Sequence, residues 1–85
     1  MEYYVYILEN HEGIFYKGIT TDIEKRLAQH NDSSKSKYTS SRGPWILLGV
    51  KKMADKRSAL LEERRIKKLN KASLLIYIKT LGHVD

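Results

Sequence analysis

Hydrophobic and polar positions near the start of the chain fall into two short β-like runs. Residues 3–8 are aromatic and β-branched and predict a strand. Residues 9–13 are polar and end in glycine, the composition of a hairpin loop. Residues 14–19 predict the return strand, antiparallel because the connection is tight. The period then changes. Ile23, Arg26, Leu27 and His30 recur at steps of three, four and seven, which predicts a helix from about residue 22 to about residue 31. Thr21-Asp22-Ile23-Glu24 has the form of a capping box, with Thr21 as the cap and Glu24 reaching back. This spacing puts two polar side chains, Arg26 and His30, on or beside the face that packs on the sheet.

Residues 32–43 are rich in Ser, Lys and Thr and predict a loop, long for so short a chain. Tyr38, Thr39 and Arg42 stand out in it. Pro44 stops the loop, and residues 45–50 predict a third, buried strand. Residues 55–68 predict a second helix, with Ala59, Leu60, Ile66 and Leu69 on its apolar side and Arg57, Arg64, Arg65, Lys67 and Lys68 on its polar side. Asn70 or Ser73 caps a third helix through Leu81, with Leu74, Leu75, Ile78 and Leu81 as its apolar face and Gly82 at its end. The order β-β-α-β-α-α predicts an α+β fold, a three-stranded antiparallel sheet flanked by helices. No internal repeat or linker divides the chain, so residues 1–85 are expected to form one domain.

Composition narrows the class. A chain of 85 residues holds one small domain, which buries a modest fraction of its surface. It has no cysteine, so disulfides and thiolate metal sites are excluded. The longest apolar run, residues 45–50, is far short of a membrane span, and the N-terminus lacks a secretory pattern. A soluble, cytoplasmic domain without membrane contact is expected. The formal net charge is +6. Residues 51–71 hold nine Lys or Arg against three Asp or Glu, and the remainder is balanced at seven of each sign. One segment therefore carries the whole excess, the expected footprint of a polyanionic partner; a solvated helix face with a cationic bias is the plainer account.

Candidate chemistry centres on two tyrosine triplets, Tyr4-Val5-Tyr6 and Tyr16-Lys17-Gly18, followed by Arg26 and His30. Phosphodiester hydrolysis needs a base for water, charge stabilisation on phosphate and help for the leaving oxygen. Arg26 can clamp phosphate through its guanidinium fork. His30, one turn on, can donate to phosphate or shuttle a proton. Tyr6 and Tyr16 can exchange hydrogen bonds. As a base, tyrosine is handicapped by a reference pKa of about 10, a handicap that a neighbouring arginine and a metal ion reduce. The carboxylate for that metal lies on the second helix. Glu63 and Glu62 share one broad arc, and periodicity does not choose between them.

These residues resemble a known family. The two triplets look like the halves of the GIY-YIG nuclease signature. The run from Gly18 to Asp22, then Arg26 and His30, and the stretch from Arg57 through Glu63 to Lys67 resemble the small single-domain bacterial branch, UPF0213-like and related to the nuclease domain of UvrC-type repair proteins. The resemblance implies a metal-dependent endonuclease that cleaves a nucleic-acid phosphodiester, with Mg²⁺ or Mn²⁺ as cofactor; DNA is expected ahead of RNA, which the sequence leaves open, with a place in DNA repair or processing. It implies Tyr16 as general base and Tyr6 as the group positioning water. Arg26 holds the scissile phosphate, Glu63 rather than Glu62 binds the metal, and His30 binds phosphate or assists proton transfer. Asn70 is the nearby candidate for a polar amide that relatives carry late in the domain. Two positions depart from the signature: Tyr4 stands where it has Gly, and Lys17 where it has Ile. Lys17, Tyr38, Arg42, Arg64, Lys67 and Lys68 are the candidate nucleic-acid contacts.

His11 and His83 are expected to be exposed and without a role. Two other functions fit the same sequence. One is a non-catalytic nucleic-acid-binding domain that keeps the nuclease fold. The other is an adaptor that docks a partner or a second copy, with the chain a monomer or weak homodimer.

Overall fold

A computed structural model describes residues 2–32 and 44–81; the expectations for Tyr38, Thr39, Arg42, Gly82 and His83 lie outside them. The elements follow in the order β1 (Tyr3–Glu9), β2 (Phe15–Thr20), α1 (Ile23–Asn31), β3 (Ile46–Met53), α2 (Lys56–Lys67) and α3 (Lys71–Lys79). The sheet is antiparallel with strand order β2-β1-β3, so the α+β architecture is as the sequence predicts. Among the described residues no helix is long and apolar enough to cross a membrane.

Period-two alternation in β1 sends its side chains to two buried faces. Val5 and Ile7 point to one face, where Ala59 and Ile66 of α2 and Leu74 and Ile78 of α3 complete an aliphatic core. Tyr6 and Leu8 point to the other, where Trp45, Tyr16, Leu47, and Ile23 and Leu27 of α1 surround them. Both sides of the central strand are thus covered, which explains why 3–8 is apolar almost throughout rather than alternating with polar residues.

Local chemistry sets the joints. Gly13 takes φ +79°, a left-handed conformation that suits glycine. The Asn10 carboxamide accepts from the backbone of Glu12 and Ile14 and ties the hairpin from inside. A one-residue irregularity between Ile7 and Leu8 sets Gly49 opposite Ile7 and Leu47 opposite Leu8. The extra residue is Leu48, which packs with the aliphatic core, whereas Leu47 joins the tyrosine side. The bulge therefore moves Leu47, and by alternation Trp45, onto the tyrosine face.

Several boundaries and faces differ from expectation. The cap of α1 is Asp22, accepting from Lys25 N at 3.1 Å, not Thr21. Thr20 Oγ1 accepts from the Asp22 backbone, holding the chain out of the helix one residue longer. The cap of α3 is Asn70, accepting from Ser73 N. Its amide is thereby committed to the helix end rather than to a reaction site. On α3, Leu75 is 42% exposed, and Tyr77 takes the inward position instead. β3 extends to Met53, so Lys51 and Lys52 lie on an edge strand, a common protection against edge-to-edge pairing.

Candidate active site

The tyrosine face begins with one tight contact between strands. Tyr6 lies opposite Gly18 in the β1–β2 ladder. A β-carbon at position 18 would stand 2.6 Å from the Tyr6 hydroxyl oxygen and 2.8 Å from the adjoining ring carbon. The glycine of the second triplet is therefore the space that lets the Tyr6 ring lie across the edge strand. Its hydroxyl meets His30 Nε2 at 2.8 Å. His30 is 5% exposed, at the inward end of the α1 stripe.

Tyr16 stands next to this pair. Its ring centroid is 6.3 Å from Tyr6, 4.6 Å from the His30 ring in edge-on contact, and 6.2 Å from Trp45, also edge-on. Aromatic edges and faces attract in this geometry. Arg26, one helical turn before His30, is exposed, and its guanidinium acts on both Tyr6 and His30. A polar cleft of about 180 Å³, lined by Thr20, Thr21, Asp22, Lys25, Arg26 and Gln29, adjoins it.

The electrostatics separate the two tyrosine–histidine partners from free acids and bases. Burial pushes the Tyr6 phenol above its ordinary value; the charges of Tyr16 and Glu63 add to the rise, and Arg26 opposes it. Burial, helped by Arg26, pushes His30 below its ordinary value. Both groups are thus held neutral near pH 7. A neutral imidazole and a neutral phenol share one proton in their hydrogen bond, with the direction set by the histidine tautomer.

Glu62 and Glu63, equivalent by periodicity, have different surroundings. Glu62 accepts two hydrogen bonds from Arg65, one from Lys51 and one from the Tyr77 hydroxyl. The Arg65 bonds first, then Tyr77 and Lys51, hold its carboxyl well below the usual range against the opposing effect of burial. It staples α2 to β3 and α3. Among the described residues Glu63 has one ion pair, with Lys67 at 3.6 Å, and its charge reaches Tyr6. Among the described residues no three acidic, His or Cys side chains cluster as a metal cage. A cation here would rest on the Glu63 carboxylate, waters and substrate oxygens, a donor set that fits Mg²⁺ or Mn²⁺.

Tyr6, Tyr16 and His30 therefore come together, and the charges of Arg26 and Glu63 reach Tyr6. Other expected contacts do not. Lys17 lies opposite Ile7, on the sheet face away from Tyr16. Arg64 on α2 and Lys68 at its end are exposed, while Lys67 is already paired to Glu63. Tyr38 and Arg42 lie outside the described residues. His11 is exposed, as expected. Two members of the surroundings were not foreseen as such: Trp45, and Asn31, whose carboxamide bonds the Trp45 backbone. Fourteen residues separate them, and no local pattern marks the pair.

A family model described as the GIY-YIG catalytic domain matches residues 2–75. The chain is 39% identical to the UPF0213 protein of Halobacterium salinarum over 70 residues, 82% of this chain and 91% of the relative. It is 44% identical to the UPF0213 protein of Oceanobacillus iheyensis over 68 residues, 80% and 79% of the two chains. The solution NMR structure of a UPF0213 protein from Bacillus halodurans superposes with a TM-score of 0.61 at 34% identity, covering 93% of this chain and 84% of that one.

Proposed function

Starting from the premise that the chain belongs to the GIY-YIG family, a nuclease superfamily, we propose that it is a metal-dependent endonuclease, acting on DNA rather than RNA, in DNA repair or processing in the cytoplasm. One observation carries this reading: the Tyr6 hydroxyl lies where His30, Tyr16, Arg26 and Glu63 all act on it.

Arg26, exposed beside the polar cleft, grips the scissile phosphate through its fork of donors. Tyr16 takes the proton of the attacking water. Tyr6 cannot share that task, because burial keeps it neutral; it orients the water by hydrogen bonding. His30 fixes the Tyr6 hydroxyl and passes a proton along that bond. Glu63 would hold Mg²⁺ or Mn²⁺, which would supply charge stabilisation. Arg64 and Lys68 meet flanking phosphates. Tyr38 and Arg42, outside the described residues, are candidate contacts on their sequence alone, and Lys17 and Lys67 contribute less, the first by its face and the second by its ion pair.

The test is cleavage of mixed single-stranded, duplex and branched DNA. We expect Mg²⁺-dependent product, and loss of at least a hundredfold in rate for Glu63→Ala with little change in fold. No metal-dependent product, or equal product from Glu63→Ala, sinks the reading.

A second reading keeps the fold and drops the chemistry: a nucleic-acid-binding domain. It is favoured by the exposed cations Lys56, Arg57 and Arg64 of α2 and Lys68 at its end, for which no ion pair forms among the described residues. Its mark is salt-dependent binding whose log-log slope falls in Arg64→Ala and Lys68→Ala. An unchanged slope removes it.

A further inference from the structure

Asn31 is the last residue of α1, directly after His30. Its carboxamide makes two bonds to one residue across the domain: Oδ1 accepts from Trp45 N at 2.7 Å, and Nδ2 donates to Trp45 O at 3.3 Å. This is the hydrogen-bond pattern of one strand rung, supplied by a side chain. It falls just past the last rung of the β1–β3 ladder, where Glu9 faces Ile46. Trp45 is 2% exposed, and its ring is one of the two that meet Tyr16 edge-on. The Leu48 bulge turns Trp45 toward that face, and the Asn31 amide holds its backbone there. Consecutive residues at one helix end thus govern the two tyrosines: His30 directly, and Asn31 through Trp45.

We propose that Asn31 is a positioning residue of the site: by fixing the Trp45 main chain it seats the indole against Tyr16 and so sets where the Tyr16 hydroxyl stands. Asn31 itself reaches no reacting group. The polar bonds are directional, so losing them lets the Trp45 backbone drift. The ring contact then loosens, and Tyr16 gains freedom in the plane of the sheet edge.

The kinetic arm of the test rests on the nuclease reading; the spectroscopic arm does not. By NMR of the full chain carrying ¹³C-labelled tyrosine, Asn31→Ala shifts the ring signals of Tyr16 and leaves those of Tyr77, on the other sheet face, in place. Trp45→Phe moves the same Tyr16 signals, and the double variant is no worse than Trp45→Phe alone, because the two residues act in series. Asn31→Asp, which keeps the acceptor for Trp45 N and loses the donor, gives a smaller shift. Leu74→Ala, which weakens the opposite core, leaves Tyr16 unmoved. Where cleavage is measurable, Asn31→Ala lowers kcat about tenfold with KM within about twofold, the signature of a misplaced group rather than lost binding.

Unshifted Tyr16 signals in Asn31→Ala overturn the proposal. So does a Leu74→Ala shift of the same size, which would mean a general loosening. A wild-type chain that cleaves nothing, with the Tyr16 shift present, fails the nuclease reading while supporting this one.

Discussion

On the α2–α3 side of the sheet, Val5, Ile7, Ala59, Ile66, Leu74 and Ile78 meet carbon to carbon. On the α1 side, Tyr6, Tyr16, His30 and Trp45 meet ring to ring, and hydrogen bonds tie them. The same strands supply both faces by alternation. The aliphatic face gains from burial, which tolerates small shifts and is not directional. The aromatic face gains from geometry that a shift of an ångström destroys. The comparison teaches that stability and chemistry are separated here by the thickness of one sheet, with the Glu63 charge still felt by Tyr6.

The harshest break of the comparison is on the aliphatic side. Ile66→Ala removes a fully buried side chain and is expected to cost about 4 kcal/mol in urea unfolding. The native Tyr16 signals of the folded fraction should persist. A smaller loss follows on the other face. Gly18→Ala forces a β-carbon against a buried ring and is expected to cost about 2 kcal/mol by overpacking. It also displaces the Tyr6 hydroxyl from His30, so the histidine environment, read by NMR, must change. An unaltered His30 would mean that the strands part without moving the ring.

Acid sharpens the contrast further. His30 is held below its ordinary value when folded, so its contribution is complete above about pH 6.5 and is lost as pH falls toward the folded value. Glu62 is depressed from its ordinary carboxylate value, so its contribution is complete above about pH 4.3 and is lost only as pH falls below that. The tyrosine face is therefore expected to loosen first. Urea midpoints from pH 8 to 3 check this: His30→Gln flattens the upper segment and Glu62→Gln the lower. The smallest effect belongs to Lys67→Ala. Its pair with Glu63 is more than half exposed on the lysine side, and its loss is expected to cost about 0.3 kcal/mol in thermal unfolding.

Much of this was legible in the sequence, because periodicity is a local property. The aromatic and β-branched runs of β1 and β2 and the stripe of Ile23, Arg26, Leu27 and His30 are local signals, and they bring Tyr6, Tyr16 and His30 to one place. What stayed hidden depends on partners far along the chain. Glu62 and Glu63 share an arc, and Tyr77, fifteen residues on, separates them by taking Glu62. The bulge at Leu48 shifts the facing of Trp45, and no residue type announces it. Thr21 and Asp22 are both good caps, and the choice was made by Thr20 in the strand before them. The facing of Lys17 was available, since alternation from Tyr16 already sends it to the opposite side.

The strand order has a consequence for motion. β1 is flanked by ladders on both sides, whereas β2 is bonded on one side only. The backbone amide of Tyr6 is therefore expected to exchange with solvent through global unfolding, and that of Tyr16 through fraying of the edge. One tyrosine thus rests on the strand paired on both sides and the other on an edge strand, so slower amide exchange at Tyr6 than at Tyr16 is the expected outcome of a native-state exchange measurement.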